Sequence, residues 1–356
     1  MRLGLNLGYW GGGNDADNLE LAREADRLGY AVVWVAEAYG SDAPTVLAWI
    51  AAQTTSVDVG SAIMQIPART PAMTAMTAAT LDTLSGGRFR LGLGVSGPQV
   101  SEGWHGVRFD APLGRTREYV DVVRLALSRQ PVAYDGRHHV LPLPDGPGKA
   151  LRLTVVPVRD RIPVYLASLG PKNLELTGEV ADGWLGLFVS AEHVGDSLDR
   201  LLAGRRASGL TDLSGFDVCA TSPLVITPDG PESRLVEAAA DPVRGYAALY
   251  VGGMGSRKQN FYNALARRMG YEEAAEQVQD AYLDRRPRDA AAAVPTEFVD
   301  RTSLLGPPAR VAERMAALAV AGVTTLNVVP FAPDLPGRLQ MLRSAAEALD
   351  ASGRAG

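Results

Sequence analysis

The chain has 356 residues, 46% hydrophobic and 21% charged, with 35 Lys and Arg against 40 Asp and Glu and a formal charge of -5. That composition excludes a disordered chain, and the acidic balance excludes the clustered positive charge that nucleic-acid binding needs. One cysteine, Cys219, excludes an internal disulfide framework, and no apolar run approaches the ~18 residues that span a bilayer.

The N-terminus reaches glycines and polar residues at once, so no signal peptide is expected and a soluble cytoplasmic chain is. Arg2–Tyr9 reads as a strand, and Asn14 or Asp15 can cap a helix that runs to Leu28 and stops at Gly29. Ala31–Ala36 is almost wholly apolar and rich in β-branched residues, the signature of a strand covered on both faces. A helix over Ala43–Thr54, a strand over Val57–Met64, a helix over Pro71–Leu84, a strand over Arg88–Val95 and a helix near Arg115–Leu127 follow. The rhythm resumes with strands at Ile162–Ala167, Gly183–Val189 and Phe216–Ile226, separated by helices at Pro171–Val180 and Glu192–Ala207. A long helical region over about Pro231–Leu283 precedes a helix at Val311–Ala321, a strand at Val323–Val329 and a terminal helix at Pro336–Leu349.

Eight strands alternating with helices predict an α/β fold, a TIM-type (β/α)8 barrel in one domain over residues 1–356. Two stretches break the pattern. Residues 130–163 hold a Tyr134-Asp135-Gly136-Arg137 turn and a Pro- and Gly-rich run, which predicts a hairpin or lid. Residues 238–303 are expected to add helices at one rim.

Gly92-Leu93-Gly94-Val95-Ser96-Gly97 matches G-x-G-x-x-G, but the dinucleotide fingerprint needs a helix opening at the third glycine. Pro98 follows directly and two more glycines come soon after, so no helix is expected there. Ser168-Leu169-Gly170-Pro171-Lys172 lies between a strand and a helix, where free N–H groups can hold a phosphate. A plain βα turn with a solvated lysine explains those residues as well. Ser85-Gly86-Gly87-Arg88 joins a helix to a strand on the stability face of a barrel and reads as a C-cap with a structural arginine. Four histidines without metal-ligand spacing argue against a metal site, and no G-x-S-x-G elbow points to a serine hydrolase. Strand C-termini carry Asn6, Gly8 and Tyr9; Glu37, Ala38 and Tyr39; Ile63, Met64 and Gln65; Ser96 and Gly97; and Ser168 and Gly170, with His105 just beyond strand four. Such an apolar, glycine-bearing rim suits an aromatic cofactor that brings the chemistry with it.

Together Leu3–Tyr9, Val33–Tyr39, Arg69–Leu93, Ser96–Gly106, Thr116–Val122 and Ile162–Trp184 resemble the luciferase-like superfamily, in particular its coenzyme F420-dependent oxidoreductases. The resemblance implies a non-prolyl cis peptide at Ala62-Ile63, at the end of strand three, forming a bulge behind the cofactor ring. It implies a ring pocket lined by Gly8, Glu37, Met64, Ser96 and Gly97, and a cofactor phosphate near Ser168, Gly170, Pro171 and Lys172. The sugar-phosphate dehydrogenases of the family carry Asp-His where this chain has Glu37-Ala38, so their alcohol oxidation is not expected here. A reductase of C=C or C=N bonds in a small substrate fits better, with Glu37, Tyr39 and His105 as candidate proton donors. The alternatives are an FMN-dependent monooxygenase served by a partner flavin reductase, and a non-catalytic flavin or deazaflavin binder. A homodimer is expected, with substrate choice residing in the two insertions.

Overall fold

The computed structural model describes residues 1–10, 15–229 and 232–356. Eight parallel strands form the ring: β1 (Arg2–Asn6), β2 (Val32–Val35), β3 (Asp58–Ser61), β4 (Phe89–Gly94), β5 (Val164–Ala167), β6 (Gly183–Leu187), β7 (Asp217–Ile226) and β8 (Thr325–Pro330). Each pairs with its neighbours in chain order, and β8 returns to β1 with Leu326 opposite Leu3, so the sheet closes. The predicted barrel is therefore present, with every predicted strand in the ring. Outside it lie α1 (Asp15–Arg27), α2 (Ala43–Ala51), α3 (Pro71–Leu84), α4 (Pro112–Leu127), α5 (Pro171–Val180), α6 (Val194–Ala207), α7 (Pro308–Val320) and α8 (Leu335–Ala351).

Local chemistry sets the boundaries. Asn14 lies outside the described residues; at the other end of α1, Gly29 at φ 74° stops the helix, with Tyr30 N–H donating to Ala25 O. Beyond α3, Gly86 and Gly87 turn at φ 67° and 87°, and Arg88 donates to the carbonyls of Ser85, Val57, Ala51 and Thr54. Arg88 is structural, as expected.

The Asp26 carboxylate, at the C-terminal end of α1, accepts from the N–H groups of Thr55, Ser56 and Val57 and from both hydroxyls there. Burial alone would raise its pKa, but hydrogen bonds from Ser56, Thr55 and Val57 outweigh burial and hold it well below the usual carboxylate range. A depressed carboxylate stabilises the fold above its unfolded pKa of ~3.9, and that contribution disappears as pH falls. Asp26→Asn is therefore expected to cost about 1–2 kcal/mol at neutral pH, limited by solvent screening, and to lose that penalty in acid; urea titrations at both pH values check it.

Three boundaries differ from expectation. β1 ends at Asn6 because Asn6 Oδ1 accepts from Gly8 N–H (2.8 Å) and Gly8 turns the chain at φ 66°. β3 ends at Ser61, the Ala62-Ile63 peptide is cis, and the chain resumes as the two-residue strand Met64–Gln65 against β4. A six-residue helix, Pro98–Gly103, does open after Gly97, because proline at N1 lacks only an N–H that a first turn leaves unpaired. The expectation of no helix there is corrected; the closed barrel is what separates this loop from a dinucleotide fold.

The hairpin forms, with Tyr134–Asp135 antiparallel to Val140–Leu141. In the second insertion, Pro231 lies outside the described residues, and the region is broken where one long helical stretch was expected. Its pieces are Glu232–Ala248, a π turn at Leu249–Gly253, Phe261–Arg268, Glu272–Leu283, Pro287–Ala292 and Thr296–Arg301. The unforeseen strand Leu304–Gly306 then pairs with the end of β7. One hydrophobic cluster runs from Leu5 through the barrel helices to Val243 and Phe298 of this insertion.

Large side chains fill the barrel interior. Trp34 and Tyr165 meet edge-on at 5.3 Å, and Trp34 Nε1 donates to Asn327 Oδ1 (2.9 Å). Glycine faces them by necessity: a Cβ at Gly60 would stand 2.4 Å from the Trp34 ring. Beneath this layer, Arg90 bridges Asp58 (2.7 Å) and Asp217 (3.1 Å), while Arg2 reaches Asp217 at 3.0 Å. These charged side chains thus fill the barrel below the aromatic layer.

Candidate active site at the strand C-termini

The rim is organised around Glu37, which follows β2. Its carboxylate takes a bidentate ion pair from Arg69 (2.6 Å on each oxygen) and accepts from Ala43 N–H and Gln65 N–H, both at 3.2 Å. Both side chains are shielded, 7% exposed for Glu37 and 16% for Arg69. Four bonds make this carboxylate a tie between β2, α2 and the segment after the cis bulge. Of the three candidate donors, Glu37 is the one whose oxygens are already engaged.

Gln65 is a strand-end residue of the rim to which sequence reasoning assigned no role. It is 3% exposed, its Oε1 lies 2.8 Å from His105 Nε2, and its Nε2 donates to Ser96 Oγ at 3.0 Å. His105 and Ser96, both foreseen, are thereby joined to the bulge. Ser96 sits at φ 60°, a left-handed conformation in which a non-glycine residue is unusual. Tyr39 and Trp104 form an exposed tilted ring pair at 6.5 Å. The signal available in the sequence was position alone: Gln65 is a polar residue just after an apolar strand.

The remaining foreseen residues divide. Gly8, Gly97 and Gly170 face open space, since a Cβ on any of them would meet nothing within 4 Å. Ala62 and Ile63 are half-buried and pack on the barrel cluster of Trp34 and Tyr165, whereas Met64 is wholly buried. At α5, Gly170 is the N-cap and Pro171 begins the helix without an N–H; Asn173 N–H donates to Gly170 O (3.0 Å), so within the first turn the Lys172 N–H is the group left for a ligand. Ser168 is 3% exposed and its hydroxyl pairs with Thr177 (2.8 Å), so its side chain turns into the protein. Lys172 is solvated and pairs with Glu175. Arg268, from the second insertion, donates to Leu169 O (2.9 Å) and brings to this turn a cation that sequence position did not reveal.

Beside the rim lies a cavity of about 530 Å³ between the loop after β3, the loop after β4 and the hairpin; Arg69, Val107, Phe109, Tyr119 and His139 are among its walls. Burial lowers the His139 pKa. Among the described residues no cluster of His, Cys, Asp and Glu could hold a metal, and no helix is long and apolar enough to cross a membrane. Cys219 is buried inside the barrel, and burial pushes its thiol pKa well up, as suits an unreactive core residue.

The fold is thus a closed (β/α)8 barrel with a cis bulge after β3 and open space at Gly8 and Gly97 on its C-terminal rim. The chain belongs to the luciferase-like monooxygenase family, whose model matches residues 8–325. It is 43% identical over 334 residues to a Mycobacterium tuberculosis protein named as a coenzyme F420-dependent oxidoreductase, covering 92% of this chain and 94% of that one. Among solved structures, the coenzyme F420-dependent tetrahydromethanopterin reductase of Methanopyrus kandleri superposes with a TM-score of 0.78 at 24% identity, covering 96% of this chain and 97% of that one. An F420-dependent secondary alcohol dehydrogenase bound to an F420-acetone adduct gives 0.78 at 19%, covering 98% and 99%. At those identities the two superpositions speak for the fold.

Proposed function

We propose that this chain is an F420-dependent oxidoreductase that reduces a C=C or C=N bond in a small organic substrate. The observation that carries the assignment is the 43% identity to the F420-dependent relative over nearly the whole of both chains. The rim fits such a group on its own terms. Gly8 and Gly97 leave open space beside the bulge, and the start of α5 offers the Lys172 N–H to a phosphate.

When bound, reduced F420 supplies the hydride. The residues of this chain do the rest. Ala62 and Ile63 would back the ring from the barrel side, and the Arg69–Glu37 tie holds the backbone of Gln65 in place behind them. Reduction of a double bond also needs a proton, and the candidate groups to give one are the Tyr39 hydroxyl and His105 once its ring has taken up a second proton on Nδ1.

Side-by-side titration with F420 and FMN tests the reading. Micromolar F420 affinity with much weaker FMN binding is the expected result, followed by oxidation of reduced F420 on adding enones or imines. The reverse preference, with oxygen consumed in turnover, would overturn it in favour of a monooxygenase. F420 binding without hydride exchange to any acceptor would mark a binding protein.

A further inference from the structure

We infer that Gln65 is a positioning residue that sets the direction of a three-membered hydrogen-bond chain, so that Ser96 offers its hydroxyl proton to the bound ring and His105 presents the lone pair of Nδ1. The ligand half of this inference rests on the F420 reading above.

A glutamine amide has one acceptor oxygen and one donor nitrogen, and here both are used at once. Nε2 donates to Ser96 Oγ at 3.0 Å, so Oε1 is the atom that meets His105 Nε2 at 2.8 Å. An oxygen can only accept, so His105 must carry its proton on Nε2, and Nδ1 is left as the unprotonated nitrogen of the neutral ring. At the other end Ser96 Oγ spends acceptor capacity on Gln65. Its own proton then has no protein partner among the described residues.

The chain can hold this direction because Gln65 is fixed from two sides. Its backbone N–H is bound by Glu37 (3.2 Å), and it pairs with Gly94 of β4, two residues before Ser96. Its side chain is buried between the two groups it connects, where an unmet amide group would be costly. Ser96, at φ 60°, is thus gripped by its side chain at the point where the rim opens.

The test begins on the ligand-free protein. Histidine side-chain 15N spectroscopy at a pH where the rings are neutral reports which nitrogen of each ring is protonated. The chain has four histidines, and loss of one signal in His105→Gln assigns the ring concerned. The expected result is a proton on Nε2 of His105, and a mixture of tautomers in Gln65→Met. A proton on Nδ1, or an unchanged signal in Gln65→Met with native circular dichroism, would overturn the inference.

Gln65→Glu separates the two ends. A carboxylate still accepts from His105 but now also accepts the Ser96 proton, so the tautomer should persist while F420 affinity falls about tenfold, as in Ser96→Ala. Unchanged affinity in both variants would overturn the donor role of Ser96. Failure of the wild type to bind F420 would overturn the proposed function and that donor role together, and the tautomer measurement would still decide the role of Gln65.

Discussion

Arg69→Ala is expected to lower unfolding stability by about 3–5 kcal/mol, because it strands a shielded carboxylate without its counter-charge. The same change removes two charge-assisted bonds of 2.6 Å and loosens the acceptor to which Gln65 N–H is tied. Cofactor affinity should therefore fall together with stability. The double variant Arg69→Met, Glu37→Leu separates the two effects, since a buried ion pair is often replaced by apolar residues at little cost. It should recover part of the stability yet leave F420 binding weak, because with Glu37 gone Ala43 N–H and Gln65 N–H lose their acceptor. Denaturant unfolding beside F420 titration reads both. Full recovery of binding in the double variant would refute the positioning role given to Glu37.

Asp217→Asn is expected to cost a similar ~3–5 kcal/mol, at the opposite end of the barrel. Asp217 is 9% exposed and holds Arg90 and Arg2, with Tyr165 O–H donating at 3.0 Å and the hydroxyls of Thr324 and Thr325 at 2.6 and 2.7 Å. Burial would raise its pKa, but the Thr324 bond, the Arg2 charge, the Thr325 bond and the Arg90 charge outweigh burial and leave it depressed. The sign follows: the stabilisation is present above the unfolded pKa of ~3.9 and drains away as pH falls through the lower folded value. Wild-type stability should fall in acid, and Asp217→Asn should flatten that limb as well as lower the neutral plateau. An acid limb of unchanged steepness in the variant would show that other carboxylates carry the effect.

Much of this protein was legible in its residues. The near-continuous apolar run at Ala31–Ala36 and its seven counterparts are strands because helices cover their outer faces and side chains fill the barrel, and a run buried on both faces needs no partner sequence to be recognised. Local stop signals were equally readable, as at Gly29 and at Gly86-Gly87, where a positive φ is a property of the residue itself. The second insertion was less legible. Its helices are separated by turns whose sequence, including the interior Pro242 and the π turn, does not read as a break until tertiary contacts choose between continuing and stopping.

The site divides along the same line. Sequence alone determined that an apolar, glycine-bearing rim crowns a parallel barrel, and which strand ends contribute Gly8, Ser96, Gly97 and Gly170 to it. Only the tertiary structure decided what the polar residues there do. Glu37 and Arg69 stand 32 positions apart, and Gln65 and His105 40 apart, so no spacing rule links them. Their roles depend on which hydrogen-bonding partner each finds once burial removes water as the alternative. Glu37 becomes a tie because Arg69 reaches it, Ser168 turns inward because Thr177 does, and Gln65 matters because it lies between a histidine and a serine that the barrel brings together.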